Sequence, residues 1–223
     1  MISVSLALWS LQAWIPPAVA QQTAGPGRGA WLPVSLDLRK VADGSWAEYA
    51  TTYAGMKTRV TERLALVART GATVEIESAS PEMDEEPAGR KTLRTRLSIS
   101  DTEIKLVEQT IQWMNGDQRS EHSSADPEMG SPFRRPDPKT RIGVESVTVP
   151  AGVFPKAEHY RVQLGPHETL DFWTSPDAPP LGLVKVVIKG SAGLFSGSTK
   201  ELIALGTGAK PAIVPDAKRS KKR

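Results

Sequence analysis

A mainly β fold, laid out as one curved antiparallel sheet, is predicted for this 223-residue chain by three features. Apolar and polar residues alternate with a period of two in at least five segments, the period at which side chains leave a strand on opposite faces. Hairpin-type turn residues stand between several of those segments. The composition is that of a globular domain: 39% apolar, 24% charged, mean hydropathy −0.30, with eighteen Gly and eighteen Pro. Those values exclude a helical polytopic membrane protein and a wholly disordered chain. Cysteine is absent, which removes disulfides, Cys-ligated zinc, iron–sulfur clusters and thiol catalysis together.

The chain opens on an apolar run from Ile2 to Ile15, broken by Pro16-Pro17 and closed by Ala18-Val19-Ala20. Small residues at the third and first positions before Gln21 suit signal peptidase, so residues 1–20 are expected to be a secretory leader cleaved after Ala20. No Cys follows that run, which excludes a lipid-anchored lipoprotein. Residues 21–30 (Ala24-Gly25-Pro26-Gly27-Arg28-Gly29 among them) lack periodicity and predict a linker. A single antiparallel β domain is expected over 31–208, and a disordered basic tail over 209–223.

Within the domain, Val74 and Ile76 oppose Thr73, Glu75 and Glu77. Leu93, Thr95, Leu97 and Ile99 oppose Thr92, Arg94, Arg96 and Ser98. Further on, Tyr160, Val162 and Leu164 form one face, as do Leu170, Phe172 and Thr174, and Val184, Val186 and Ile188. Pro150-Ala151-Gly152 suits a short hairpin in which Gly takes positive φ; Gly165-Pro166 separates two segments that should pair; Asn115-Gly116 suits a type I′ turn. Two segments fit both periods. Lys57 to Arg69 and Glu103 to Met114 can be strands, the preferred reading, but the second also carries a Ser100/Glu103 capping box and the helical stripe Ile104, Val107, Ile111, Met114. On that account a helix packed on the sheet stays in the expected architecture. Ser80 to Gly89 predicts an acidic loop, and Gly116 to Lys139 a long disordered connection.

The net charge of +3 is misleading. Lys218, Arg219, Lys221, Lys222 and Arg223 supply +5, leaving −2 on the rest of the chain. A nucleic-acid binder carries its positive charge on the folded domain, so no nucleic-acid partner is expected. The tail is instead a candidate contact for an anionic envelope surface.

Chemistry-bearing motifs are few. His122, His159 and His167 share no metal-ligand spacing, and no metal or cofactor is expected. In Gly193-Leu194-Phe195-Ser196-Gly197-Ser198-Thr199-Lys200 the lysine stands three residues past the last Gly, where a phosphate loop needs it directly after; a Gly/Ser hairpin is the better reading. Glu82, Asp84, Glu85 and Glu86 lack the spacing of a calcium loop. One side chain stands out: alternation puts Trp173 beside Asp171 on the polar face. Either a second layer covers it, or it is an aromatic wall for an apolar ligand, with Trp46 and Trp113 on the same surface or in the core.

Val147-Thr148-Val149-Pro150-Ala151-Gly152-Val153-Phe154, then Asp171-Phe172-Trp173-Thr174-Ser175 and Pro180-Leu181-Gly182-Leu183-Val184-Lys185 form a familiar succession. Over Arg141 to Gly206 the chain resembles an exported bacterial family of unknown function with a VPAGxF, WxS, PLGLVK signature. That family is similar in fold to periplasmic lipoprotein carriers and lipoprotein-sorting proteins. The resemblance implies a half-barrel with an apolar concavity and transfers no catalytic residue. Together these readings predict an exported, non-enzymatic β-protein that binds an apolar or amphipathic ligand, a lipid or lipidated protein, with Trp46, Trp113 and Trp173 as candidate contacts. The alternative is a structural or interaction protein of the envelope that uses Lys218, Arg219, Lys221, Lys222 and Arg223 for surface contact.

Overall fold

A computed structural model describes residues 31–57, 59–80, 90–115, 118–125, 131–190 and 197–213. The expected leader, the linker, most of the acidic loop and the five basic tail residues lie outside them. The fold is mainly β. Thirteen strands are present among the described residues: β1 (Leu32–Pro33), β2 (Trp46–Tyr53), β3 (Arg59–Thr70), β4 (Thr73–Ser80), β5 (Arg90–Ile99), β6 (Ile104–Asn115), β7 (Gln118–Ser124), β8 (Phe133–Arg134), β9 (Arg141–Val149), β10 (Gly152–Gly165), β11 (Glu168–Thr174), β12 (Leu183–Lys189) and β13 (Ser198–Gly206). Eleven of them form one antiparallel sheet, in the order β7-β6-β5-β4-β3-β2-β13-β12-β11-β10-β9, that does not close into a barrel.

Both ambiguous segments are strands, β3 and β6. No α-helix occurs among the described residues, so the helix expected to pack on the sheet is corrected. Ser100 and Glu103 form a tight turn in its place: Glu103 N–H donates to Ser100 Oγ at 2.9 Å and Ser100 N–H to Glu103 O at 2.9 Å. The same side chain that would have capped a helix thus closes the β5–β6 hairpin. The connection expected over Gly116 to Lys139 is also corrected. It holds β7, β8 and a 3-10 turn at Pro138–Thr140. β7 (Gln-Arg-Ser-Glu-His-Ser-Ser) has no apolar alternation because it is an edge strand held by backbone pairing to β6.

Cross-strand rows sort the side chains. One runs Ala47–Leu64–Ser78–Leu93–Ile111–His122 on the inner face. Another runs Gly206–Trp46–Ala65–Glu77–Arg94–Thr110–Ser123 on the outer face. Curvature is measurable at the other end of the sheet. β9 and β13 are four strand spacings apart in sheet order, about 19 Å in a flat sheet, yet Ala151 N–H in the β9–β10 turn donates to Leu202 O on β13 at 3.2 Å. Register shifts in β10, β11 and β13 supply the bending.

The apolar inner face is covered by the chain itself. Residues 31–45, expected to be β-like, are mostly irregular, with β1 pairing β8 in parallel. They bring Val34, Leu38 and Val41 into one cluster with Phe133, Leu181 and the inner-face residues Leu64, Leu66, Val74, Ile76, Leu97 and Phe172. Trp31 meets Phe172 edge-on at 5.8 Å, Phe172 stacks on Tyr160 at 5.0 Å, and Ser35 N–H donates to Leu181 O at 2.9 Å. We refer to residues 31–45, β8 and the 175–182 loop as the plug.

Gly182 fixes the plug against the sheet. Its φ is +78°, and a Cβ there would lie 2.0 Å from Ser35 Oγ and 3.1 Å from Leu36 Cγ. Gly182→Ala is expected to destabilise the fold by about 3 kcal/mol, lowering the thermal midpoint by about 6–12 °C. Differential scanning calorimetry reads this directly; a midpoint within a degree of the parent would refute the packing role.

Candidate functional site

Burial along the inner face is graded. Under the plug, Tyr49, Leu66, Val74, Leu97, Phe172 and Leu202 are fully buried. Toward the opposite end, where the β2–β3 and β10–β11 turns lie, Val60, Leu93, Ile111, Val162 and Ile188 are only half-buried, and Trp113 is 38% exposed. The gradient follows from chain length: residues 31–45 reach only part of the way along strands of up to fourteen residues. What they leave, the trough, is a stretch of inner face whose apolar side chains keep partial solvent contact.

An ion pair stands where covered and open halves meet. Lys200 Nζ lies 2.7 Å from Glu62 Oε2, and Ser78 Oγ donates to Glu62 Oε1 at 2.6 Å. The lysine also lies 5.8 Å from the ring centre of Tyr49, whose hydroxyl donates to Leu183 O at 3.0 Å. Burial works to raise the Glu62 carboxyl, but the charge of Lys200 and the two hydrogen bonds outweigh it and hold the group below its ordinary value. Burial, with a smaller contribution from the charge of Glu62, pushes the Tyr49 hydroxyl upward. At the open end, Lys91 Nζ sits 4.8 Å from the centre of the Trp113 ring, and burial draws its ammonium below the ordinary lysine value. The trough therefore offers apolar walls, one indole and two lysines, the mixture that suits an amphipathic ligand.

The three candidate tryptophans do not share a surface. Trp113 alone faces the trough. Trp46 lies on the outer face, with the Arg63 guanidinium 4.2 Å from its ring centre and its Nε1 donating to Thr207 O at 3.2 Å. Trp173 is on the outer face too, stacked on His159 at 4.3 Å and donating from Nε1 to Glu145 Oε1 at 2.6 Å. Strand bends cannot bring Trp46 and Trp173 to the inner side, because each is flanked by residues committed to the core (Ala47, Phe172 and Thr174).

Around Trp173 the structure assembles a cluster that was illegible in the sequence. Asp171, 1% exposed at its side chain, takes hydrogen bonds on Oδ1 from His159 Nε2 at 2.8 Å and Arg161 Nε at 2.7 Å. Lys189 Nζ lies 3.6 Å from Oδ2, and His159 Nδ1 lies 3.1 Å from Glu145 Oε1. Burial works to raise the Asp171 carboxyl; the hydrogen bonds from Arg161 and His159 and the charges of Arg161 and Lys189 bring it below its ordinary value. A His between two carboxylates invites an acid–base reading. Here both ring nitrogens already face protein carboxylates, and one ring face is stacked on Trp173. The cluster ties together four strands, β9 to β12.

His122 faces the trough side of β7 and is exposed; His167 is exposed in the β10–β11 turn. Among the described residues no group of three or more His, Asp or Glu side chains could hold a metal ion. Two small pockets occur away from the trough. One, of about 170 Å³, is lined on the outer face by Arg94, Arg96, Glu108, Thr110, Glu121, Ser123 and Ile213; the other, of about 190 Å³, lies beside Ser35, Arg135 and Tyr160. In the second, hydrogen bonding between Tyr160 and Glu158 and burial place the Tyr160 hydroxyl at about 12, burial being the larger cause.

Fold and site together define an open, curled antiparallel sheet with a self-plugged inner face and an uncovered apolar end. No family model matches the chain, and no curated protein matches it.

The lowered carboxyls of Glu62 and Asp171 contribute stability that is fully present above their unfolded value, about 4, and is lost as pH falls through the lower folded value. Lys200→Met should cost about 2–3 kcal/mol, somewhat less than the ~3–5 kcal/mol of a fully buried pair, because Glu62 keeps 25% of its side chain exposed. With Lys200 gone, burial dominates at Glu62 and lifts its folded value above the unfolded one, so protonation now favours the fold: the deficit of the variant against the parent should be largest near pH 7 and shrink as pH falls through the carboxylate range. Thermal melts by circular dichroism across pH 3–7 test this, and a deficit that does not change with pH would refute it.

Proposed function

We propose that this chain is an exported, non-enzymatic β-protein that binds an apolar or amphipathic ligand, a lipid or a lipidated partner, in the open end of its trough. The observation that carries the reading is the half-buried inner face at Val60, Leu93, Ile111, Val162 and Ile188, with Trp113 exposed beside it. A single β-layer gains stability by covering its apolar face, and a face left half-covered is available to a ligand that completes it. The Lys200–Glu62 pair and Lys91 would meet the polar end of such a ligand. The expected leader over 1–20 agrees with a ligand found in the envelope.

Titration of the purified chain with an environment-sensitive apolar fluorophore should give saturable binding at one site. Leu93→Glu and Ile111→Glu should each weaken it by about tenfold or more, since a carboxylate in the trough must be desolvated. Val144→Glu, exposed on the sheet edge, serves as control. Absence of saturable binding, or equal binding by all variants with unchanged circular dichroism, would end the reading.

A second reading uses the tail. Lys218, Arg219, Lys221, Lys222 and Arg223 lie outside the described residues, and the last described residue, Ile213, is anchored on the outer face. Polybasic segments gain roughly 1 kcal/mol per Lys or Arg at an anionic membrane. Deleting residues 218–223 should abolish salt-sensitive co-sedimentation with anionic vesicles and leave fluorophore binding intact; sedimentation that survives the deletion would remove this role.

A further inference from the structure

Residues 207–213, which the sequence assigns in large part to a disordered tail, run across the outer face along the row Trp46–Ala65–Glu77–Arg94. Ala209 N–H donates to Gly44 O at 2.9 Å, next to the Trp46–Thr207 hydrogen bond. Farther along, Glu77 Oε2 accepts from Ala212 N–H at 2.7 Å and Oε1 from Ile213 N–H at 3.1 Å. Arg94 holds the same carboxylate through Nε at 3.0 Å and Nη2 at 2.6 Å, and it also donates to Ile213 O. Glu77 is 4% exposed and the Ile213 residue 2%.

This is recognition of peptide backbone by a prebuilt charged pair. The carboxylate takes two successive N–H groups while the guanidinium takes the next carbonyl, so polarity and position of the segment are set without reference to most of its side chains. Charge-assisted bonds of this kind are stronger than neutral ones. Pro211 has no N–H to leave unsatisfied, and Ile213 supplies the one buried side chain. If the segment departs, Glu77 and Arg94 keep each other as partners, so the site survives without its occupant. Ile213 also lines the pocket formed with Arg94, Arg96, Glu108, Thr110 and Ser123.

We propose that Glu77 and Arg94 form a peptide-binding site on the outer face, specific for an extended Pro-Ala-Ile-type segment, which the chain's own Pro211–Ala212–Ile213 occupies as an exchangeable strap. The site is separate from the trough and does not depend on what the trough binds.

The test uses the folded full chain with a specific protease site inserted between Ala209 and Lys210 and cut after folding. A fluorescent synthetic peptide of residues 208–217 then competes with the severed strap, followed by anisotropy. Saturable binding of one peptide per cut chain is expected, with the uncut chain binding at least about tenfold more weakly. A peptide carrying Ile213→Asp, and one N-methylated at Ala212 so that its donor is lost, should each bind about tenfold or more weaker. Glu77→Gln should do the same on the protein side. Cut chain with an unchanged circular dichroism spectrum that takes up no peptide, or takes the N-methylated peptide equally well, would overturn the proposal.

Discussion

A single antiparallel layer has one apolar face with nothing opposite it, and the rest of this structure follows from how that face is covered. No helix among the described residues does so. The sheet curls until the β9–β10 turn bonds to β13, and an irregular N-terminal segment, β8 and the 175–182 loop fill the space enclosed. Irregular backbone is tolerable under a sheet only where its polar groups find partners. Ser35 bonds Leu181, Val34 bonds Arg134, Leu32 bonds Pro132, and Arg69 donates to the carbonyls of Arg39 and Val41. Because that filling is local, the inner face has a dry end and a half-open one, and the open end is where a ligand would gain most.

The outer face is organised by charge. Glu75–Arg96–Glu108 and Glu77–Arg94 bridge β4, β5 and β6, while Asp171 gathers His159, Arg161 and Lys189 across β10, β11 and β12. Exposed pairs of this kind add little stability individually. The exceptions are the carboxylates with almost no solvent contact: Glu77 takes hydrogen bonds on both oxygens, while Asp171 takes two on Oδ1 and leaves Oδ2 with only the charge of Lys189 at 3.6 Å. Each anchors something larger: Asp171 the register around Trp173, and Glu77 the C-terminal segment. The sheet thus has an apolar inner face and a polar outer one, with the chain's last described residues bound to the second.

Legibility in the sequence varied with the length scale of the cause. Alternation at Leu93, Thr95, Leu97 and Ile99 is a property of neighbours two residues apart, and it places β5 correctly. Ser100 and Glu103 show the limit: one side-chain-to-backbone bond serves a helix cap or a hairpin turn, and only pairing with β5 decides between them. β7 was invisible because an edge strand in water needs no apolar pattern. Trp173 was recognised as standing on the polar face, but its partners His159 and Glu145 come from other strands, and bulges in β10 bring them within reach. Whether Trp46 and Trp113 share a surface with Trp173 stays open in the sequence, because residue type says nothing about face once strands are far apart in sequence; the structure puts Trp46 and Trp173 outside and Trp113 inside.

By itself, then, the chain's local order determined the β class and the inward residues of the clearly alternating strands β4, β5, β10, β11 and β12, since a two-residue period and positive-φ glycines act within a few bonds. Tertiary structure decided what covers those inward residues, where cover stops, and which charges meet outside. Those outcomes depend on curvature accumulated over eleven strands and on contacts spanning more than a hundred residues, such as Glu77 with Ile213 and Glu62 with Lys200, and no local pattern encodes a sum of bends.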